Sequence, residues 1–269
     1  MTCAAATVAV AAAMPASASP QRYYLALGDS VAYGIQPDKV DAALPPSGFD
    51  TGYVDVFAAR LRTLVPAIRV VNYGCPGEST KTFVGGGCIW TAGGRLLHNS
   101  FRGAQLDAAL AFLRAHRGQV SPITLTLGAS AELHTFDSCH LDFACIRARA
   151  PRAITTYASR MGQILRRVRS VAPAADMIVT GSWNTDLAHL RQSDPLVKSA
   201  NAALARVVAR ARGRFADVFP VFNPVGSVAH EKARLCAYTF LCSGNDGHPT
   251  NAGYRAVATV VWKASGYKS

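Results

Sequence analysis

Beyond residue 18 the chain has no apolar run that approaches the roughly 20 residues a membrane-spanning helix needs. Its cysteines never occur as Cys-x-x-Cys, and no spaced set of His, Asp and Glu suggests ligands, which sets aside a metal site. The glycine run VGGGC (Val84 to Cys88) is not followed by Lys and Ser or Thr. It is therefore no phosphate loop and reads as a flexible loop on the substrate side of the fold. Charged residues make up only 16% of the chain and form no long block of one sign. The densest basic stretch, ILRRVRS (Ile164 to Ser170), has its arginines at helix-surface spacing and reads as a solvated helix face, which argues against nucleic acid as a partner. No internal repeat and no linker-like tract interrupts the chain.

The composition that remains is globular. The chain has 269 residues, half of them hydrophobic, enough to bury a full core. Lys and Arg outnumber Asp and Glu by 28 to 16, giving a formal charge of +12. Such a surface predicts salt-sensitive adsorption to anionic surfaces. Nothing demands more than a monomer. The first eighteen residues, MTCAAATVAVAAAMPASA, carry no charge and end in the small-x-small pattern Ala16-Ser17-Ala18. They read as a secretory signal peptide over residues 1–18, leaving residues 19–269 as one secreted domain. Cys3 falls in that leader. The six others, Cys75, Cys88, Cys139, Cys145, Cys236 and Cys242, suit disulfides in an exported chain and allow fifteen connectivities. Pairing sequence neighbours, Cys75–Cys88, Cys139–Cys145 and Cys236–Cys242, would pin one loop each.

Strand and helix patterns alternate along the chain. Apolar runs beginning at Tyr23, Ile68 (to Gly74), Pro122 (to Ala129), Asp176 (to Trp183) and Phe215 (to Phe222) read as strands. Helical spacing covers Tyr53 to Val65, Ala104 to His116, Ala153 to Val171, Asp194 to Arg212 and Thr250 to Ala264. Apolar strands separated by helices imply an α/β fold, a parallel sheet of about five strands with helices on both faces. Ligands bind such sheets at the carboxyl ends of the strands. The segments there are LGDSVAYG around Ser30, NYGCPGEST (Asn72 to Thr80), GASAE (Gly128 to Glu132) and, before the last helix, NDGHPT (Asn245 to Thr250). A hydroxyl, a glycine-rich turn and a histidine on one sheet edge are the parts of an activated serine nucleophile: the hydroxyl needs a base, and the oxyanion needs donors.

In order and placement these blocks resemble the SGNH, or GDSL, family of serine esterases and lipases, over nearly the whole chain from Tyr23. The likeness is greatest to its secreted bacterial branch with three loop disulfides. The resemblance implies a flavodoxin-like, three-layer α/β/α sandwich and hydrolysis of carboxylic esters without a cofactor. It implies Ser30 as nucleophile, His248 as general base, and the Ser30 and Gly77 backbone amides as oxyanion donors. Asp29 is expected to hold the turn rather than take part in chemistry. Compatible substrates are lipids, short-chain esters and acylated polysaccharides.

Two positions depart from the family pattern. The third block ordinarily carries an Asn whose amide is a further oxyanion donor, and here Ser130 stands there, followed by Ala131. Losing one such donor costs about 10²–10³ in turnover. The acid ordinarily three residues before the histidine is replaced by Asn245, with Asp246 only two before. Either Asp246 reaches His248 by another loop path, or a backbone carbonyl near Asn245 orients a Ser–His dyad. Both departures also fit an alternative: a weakened or inactive protein of this fold that binds glycan, lipid or anionic cell-wall polymer.

Overall fold

A computed structural model describes residues 21–128, 139 and 142–268. The expected leader (1–18), Ser130, His134 and His140 lie outside the described residues. Five strands, β1 (Tyr23–Gly28), β2 (Arg69–Asn72), β3 (Val120–Thr126), β4 (Met177–Thr180) and β5 (Arg214–Ala216), form one sheet in the order β2-β1-β3-β4-β5. All four pairings are parallel. A two-stranded antiparallel hairpin, β6 (Thr239–Phe240) and β7 (Asp246–Pro249), stands apart from the sheet.

Alternation along the strands builds two cores. Leu25 and Leu27 of β1, with Ile123, Leu125, Met177 and Val179, face one side. They pack against α4 (Gln105–Ala115), α5 (Phe143–Val171) and α6 (Leu190–Arg210). Tyr24 and Ala26, with Ile178, face the other side, against α2 (Tyr53–Leu61) and α8 (Asn251–Ser265). The three inner strands β1, β3 and β4 are buried on both faces, as a parallel sheet with crossover helices requires, while the edge strands β2 and β5 are partly exposed. The result is the expected α/β/α sandwich.

Several element bounds differ from the sequence reading, for local reasons. The expected strand Phe215 to Phe222 is strand only at Arg214–Ala216, and Phe219–Phe222 is a short helix. The Asp217 side chain accepts the Phe219 amide, and Pro220, which cannot donate to a ladder, suits a first helical turn. The helix expected from Ala153 begins at Phe143, where the Asp142 side chain caps the Ala144 amide at 2.9 Å. It runs straight through Pro151, which hid the start. Pro195 is likewise inside α6. The glycine-run loop is partly helical: α3 (Thr80–Gly85) ends within it and starts from a reciprocal Ser79–Thr82 capping box. All three neighbour disulfides are present.

One buried carboxyl works against the fold at neutral pH. Burial, reinforced by the nearby Asp50, raises Asp55 in the first turn of α2 to about 7 from 3.8. Its Oδ2 is buried without a partner among the described residues. The unfolded chain releases this proton first, so stability falls from about pH 4 up to about pH 7 and is level above. Asp55→Asn is therefore expected to stabilise the fold at pH 8 by ~1–2 kcal/mol, discounted for partial exposure. Denaturant melts should show that gain vanish near pH 4. An equal gain at both values would contradict the assignment.

Candidate active site

The first strand ends in a backbone turn that only glycine can make. Gly28 has φ +128°, and a Cβ there would lie 1.8 Å from the Thr126 carbonyl oxygen of the adjacent strand. The turn is held from three directions. The Asp29 amide donates to Thr126 O at 2.9 Å, and the Cys75 amide of the second block donates to Gly28 O, also at 2.9 Å. The buried amide of Gln105 brackets Gly28, its Oε1 accepting the Gly28 N–H and its Nε2 donating to Gly28 O. The same Nε2 donates to Glu78 Oε2 at 3.0 Å, which joins the first turn to the Gly77–Glu78 turn.

Asp29 does what was expected of it. Its Oδ1 accepts the Val31 amide at 3.0 Å and its Oδ2 the Gly128 amide at 2.8 Å. It caps α1 (Ser30–Tyr33) and ties the first block to the third. Burial raises its pKa, opposed by those two N–H bonds and by His248. Both oxygens are taken by backbone amides, and the histidine's ring nitrogens have other partners.

Ser30 is the first residue of α1, and its Oγ lies 2.8 Å from His248 Nε2. The other ring nitrogen, Nδ1, lies 2.7 Å from Asp246 Oδ1. Asp246 Oδ1 also accepts the His248 backbone amide at 2.7 Å. With the ring proton on Nδ1, His248 donates to the carboxylate and accepts from the serine hydroxyl. Burial pushes Asp246 up, but the bonds from the His248 ring and backbone outweigh it, and its pKa is lowered. Of the two sequence alternatives for orienting His248, the geometry is that of the carboxylate.

Asn245 explains the altered spacing. It sits in the left-handed region, φ 52° and ψ 35°, closing the helical turn Leu241–Gly244. Asn tolerates this conformation better than most residues. The chain then enters β7 with Asp246 already beside the ring, so its carboxylate reaches Nδ1 from two residues upstream. The Cys236–Cys242 disulfide ties this hairpin to α7 (Val228–Tyr238).

Trp183, at the end of the run read as the fourth strand, also contacts this loop. Its Nε1 donates to the Gly247 carbonyl at 3.2 Å, between Asp246 and His248. Its ring stacks on Phe222 with centroids 4.4 Å apart. No local pattern announces a contact across 64 residues. Trp183→Phe keeps the stack and removes the donor. It is expected to lower kcat about 3–10-fold, with little change in stability, by loosening the loop that carries both residues. Unchanged kcat in purified variant would show that the hairpin holds the loop unaided.

A cavity of about 510 Å³ opens beside Ser30 and His248. It is also lined by the end of β4 and the segment after it, from Thr180 to Asp186, and by Val197 and Ala200 of α6. The Ser30 and Gly77 amides donate to no acceptor among the described residues. Gly77 has φ +84° on an exposed turn, with Ile89 against it. Ser130 lies outside the described residues, two positions past Gly128.

Comparison with known proteins gives the same frame. The GDSL-like Lipase/Acylhydrolase family model matches residues 26–256. No curated protein sequence matches the chain. An extracellular lipase from Streptomyces rimosus is structurally similar, with TM-score 0.60, 21% identity, and coverage of 90% of this chain and 99% of that one. A phospholipase A1 from Streptomyces albidoflavus gives TM-score 0.60 at 17% identity, covering 91% and 100%. An acetylxylan esterase from Geobacillus stearothermophilus, in a catalytic-mutant form, gives 0.60 at 13%, covering 92% and 95%. At these identities the likeness is one of fold.

Proposed function

Since the chain belongs to the GDSL-like lipase/acylhydrolase family, we propose that it is a secreted carboxylic ester hydrolase working through Ser30, His248 and Asp246. The observation that carries the reading is the unbroken chain from Ser30 Oγ through the His248 ring to Asp246 Oδ1, at 2.8 and 2.7 Å. Ser30 Oγ attacks the ester carbonyl while His248 Nε2 takes its proton. Asp246 holds the ring in the required tautomer and stabilises the imidazolium. The Ser30 and Gly77 amides receive the developing oxyanion, with Ser130 the sequence candidate for a third donor. The tetrahedral adduct collapses, and His248 returns the proton to the leaving alcohol. Water, deprotonated by His248, then attacks the acyl-serine, and His248 returns that proton to Ser30 Oγ as the acid leaves. The protein needs no cofactor for this.

Export is supported by the three disulfides, whose chemistry belongs to an oxidising compartment. The binding-only alternative leaned on Asn245 and Ser130, and the Asp246–His248 contact supplies the acid that Asn245 appeared to have cost. The test is turnover of p-nitrophenyl acetate, butyrate and octanoate by the mature protein beside Ser30→Ala. Hydrolysis that survives in Ser30→Ala would overturn the reading.

A further inference from the structure

The segment from Lys81 to Arg102, which follows the Gly77 turn, carries an unusual surface. Ile89 is 67% exposed, Leu96 69% and Val84 41%. These are three of the six exposed large hydrophobic side chains among the described residues, and they fall within thirteen positions of one another. Single exposed apolar residues need no explanation, but a group beside a catalytic opening points to an apolar partner. One of the three, Ile89, lies against the turn that carries the Gly77 amide. The Ile89 side chain sits against Gly77, close enough that a Cβ on Gly77 would come within 2.4 Å of it.

These side chains are held outward by a fixed frame. The Cys75–Cys88 disulfide anchors one end to the buried turn beneath Gly28. The Leu96 carbonyl accepts from both the Trp90 indole and the Tyr33 hydroxyl at 3.1 Å. Leu97 next to it is buried with Tyr33 and Phe49. The frame thus buries Leu97 and presents Leu96, instead of the reverse. Holding apolar groups in water in this way costs free energy unless something covers them.

The charges carried by the segment itself are cationic, and the one acid that an ion pair brings to it, Asp50, lies 3.4 Å from His98 Nδ1. Lys81, Arg95 and Arg102 are exposed, and no Asp or Glu occurs between Glu78, which is buried, and Asp107. Arg95 lies over the Trp90 ring at 4.5 Å. Exposed aliphatic side chains interspersed with exposed cations along one segment match a surface that is apolar within and anionic at its face.

We infer that the Val84–Leu96 segment docks the protein on an anionic lipid–water interface and presents the Ser30 opening to lipid esters there. This rests on the hydrolase reading for the use of the surface, but the docking itself does not. Partition is therefore measured in a Ser30→Ala background, by co-sedimentation with vesicles of equal phosphatidylglycerol and phosphatidylcholine and with phosphatidylcholine alone. The parent should bind the anionic vesicles, lose binding as salt rises, and bind neutral vesicles far less. Val84→Glu/Leu96→Glu should weaken anionic binding on the order of tenfold. In the active background the same pair, which leaves Ile89 in place, should hydrolyse soluble p-nitrophenyl butyrate within about twofold of the parent, as contacts with a surface alone are removed. Equal vesicle binding by variant and parent, or equal binding to neutral and anionic vesicles, would overturn the proposal. Lys81→Gln/Arg102→Gln alters no apolar group and guards against misfolding of the first pair. It should weaken anionic binding several-fold at low salt, and unchanged binding would overturn the proposal as well. A protein inactive on every ester that still docks through this segment would overturn the hydrolase reading and leave the docking surface standing.

Discussion

Ser30→Ala is expected to lower turnover of p-nitrophenyl butyrate on the order of 10⁴–10⁶-fold while leaving the melting temperature within a few degrees. The change removes one oxygen whose hydrogen bond runs to His248. The turn itself does not depend on that oxygen. It is held by Gly28, by the Asp29 carboxylate and by the Gln105 amide, none of which touches Oγ. The backbone amide of residue 30 stays in place, so some polarisation of the substrate carbonyl survives. A fluorophosphonate probe gives an independent readout, since it reacts covalently with an activated serine: wild type should gain one adduct on the peptide bearing Ser30, and the variant none. Labelling at another serine, or hydrolysis that persists in Ser30→Ala, would place the nucleophile elsewhere.

The parts of this site that could be read from the sequence are those whose geometry is local. A strand ending in Gly28-Asp29-Ser30 is recognisable because the apolar run, the glycine and the cap lie within seven residues. The sheet was legible because each buried strand is a short apolar run and each crossover is an amphipathic helix. Boundaries failed where one residue sends two signals. Pro151 ordinarily ends a helix, yet in α5 the twenty residues after it pack on the sheet strongly enough to carry the helix through it. Pro220 and Asp217 broke an apolar run that read as one strand. What stayed hidden is the set of side chains that work at long range. Gln105 reads as an ordinary first-turn residue of an amphipathic helix, and its bonds to Gly28 span 77 positions. Trp183 reads as core. Neither has a local pattern, because what places them is the packing of elements far apart in the chain.

The acid at position 246 is where the sequence left two answers, and its replacement is the second large expected effect. Asp246→Asn should lower kcat about 10³–10⁴-fold with KM little changed. An Asn in that place can turn its amide N–H₂ toward Nδ1, which favours the proton on Nε2, the nitrogen that must accept from Ser30. It also withdraws the negative charge that stabilises the imidazolium in the transition state. Asn245→Ala should instead cost about 1 kcal/mol of stability, because Ala is poorly suited to a positive φ, and only a few-fold in kcat. The contrast separates the two readings, since a dyad oriented by backbone near Asn245 would invert the order. Acid pH offers a second check. Because Asp246 is held below its ordinary 3.8 in the folded protein, its contribution to stability is complete above about pH 4 and is lost as pH falls through the lowered value. That acid limb should be missing from Asp246→Asn. If it remains, other carboxylates set the limb; and if kcat also stays within a few-fold, Ser30 and His248 act without a carboxylate, and the 2.7 Å contact only holds the loop.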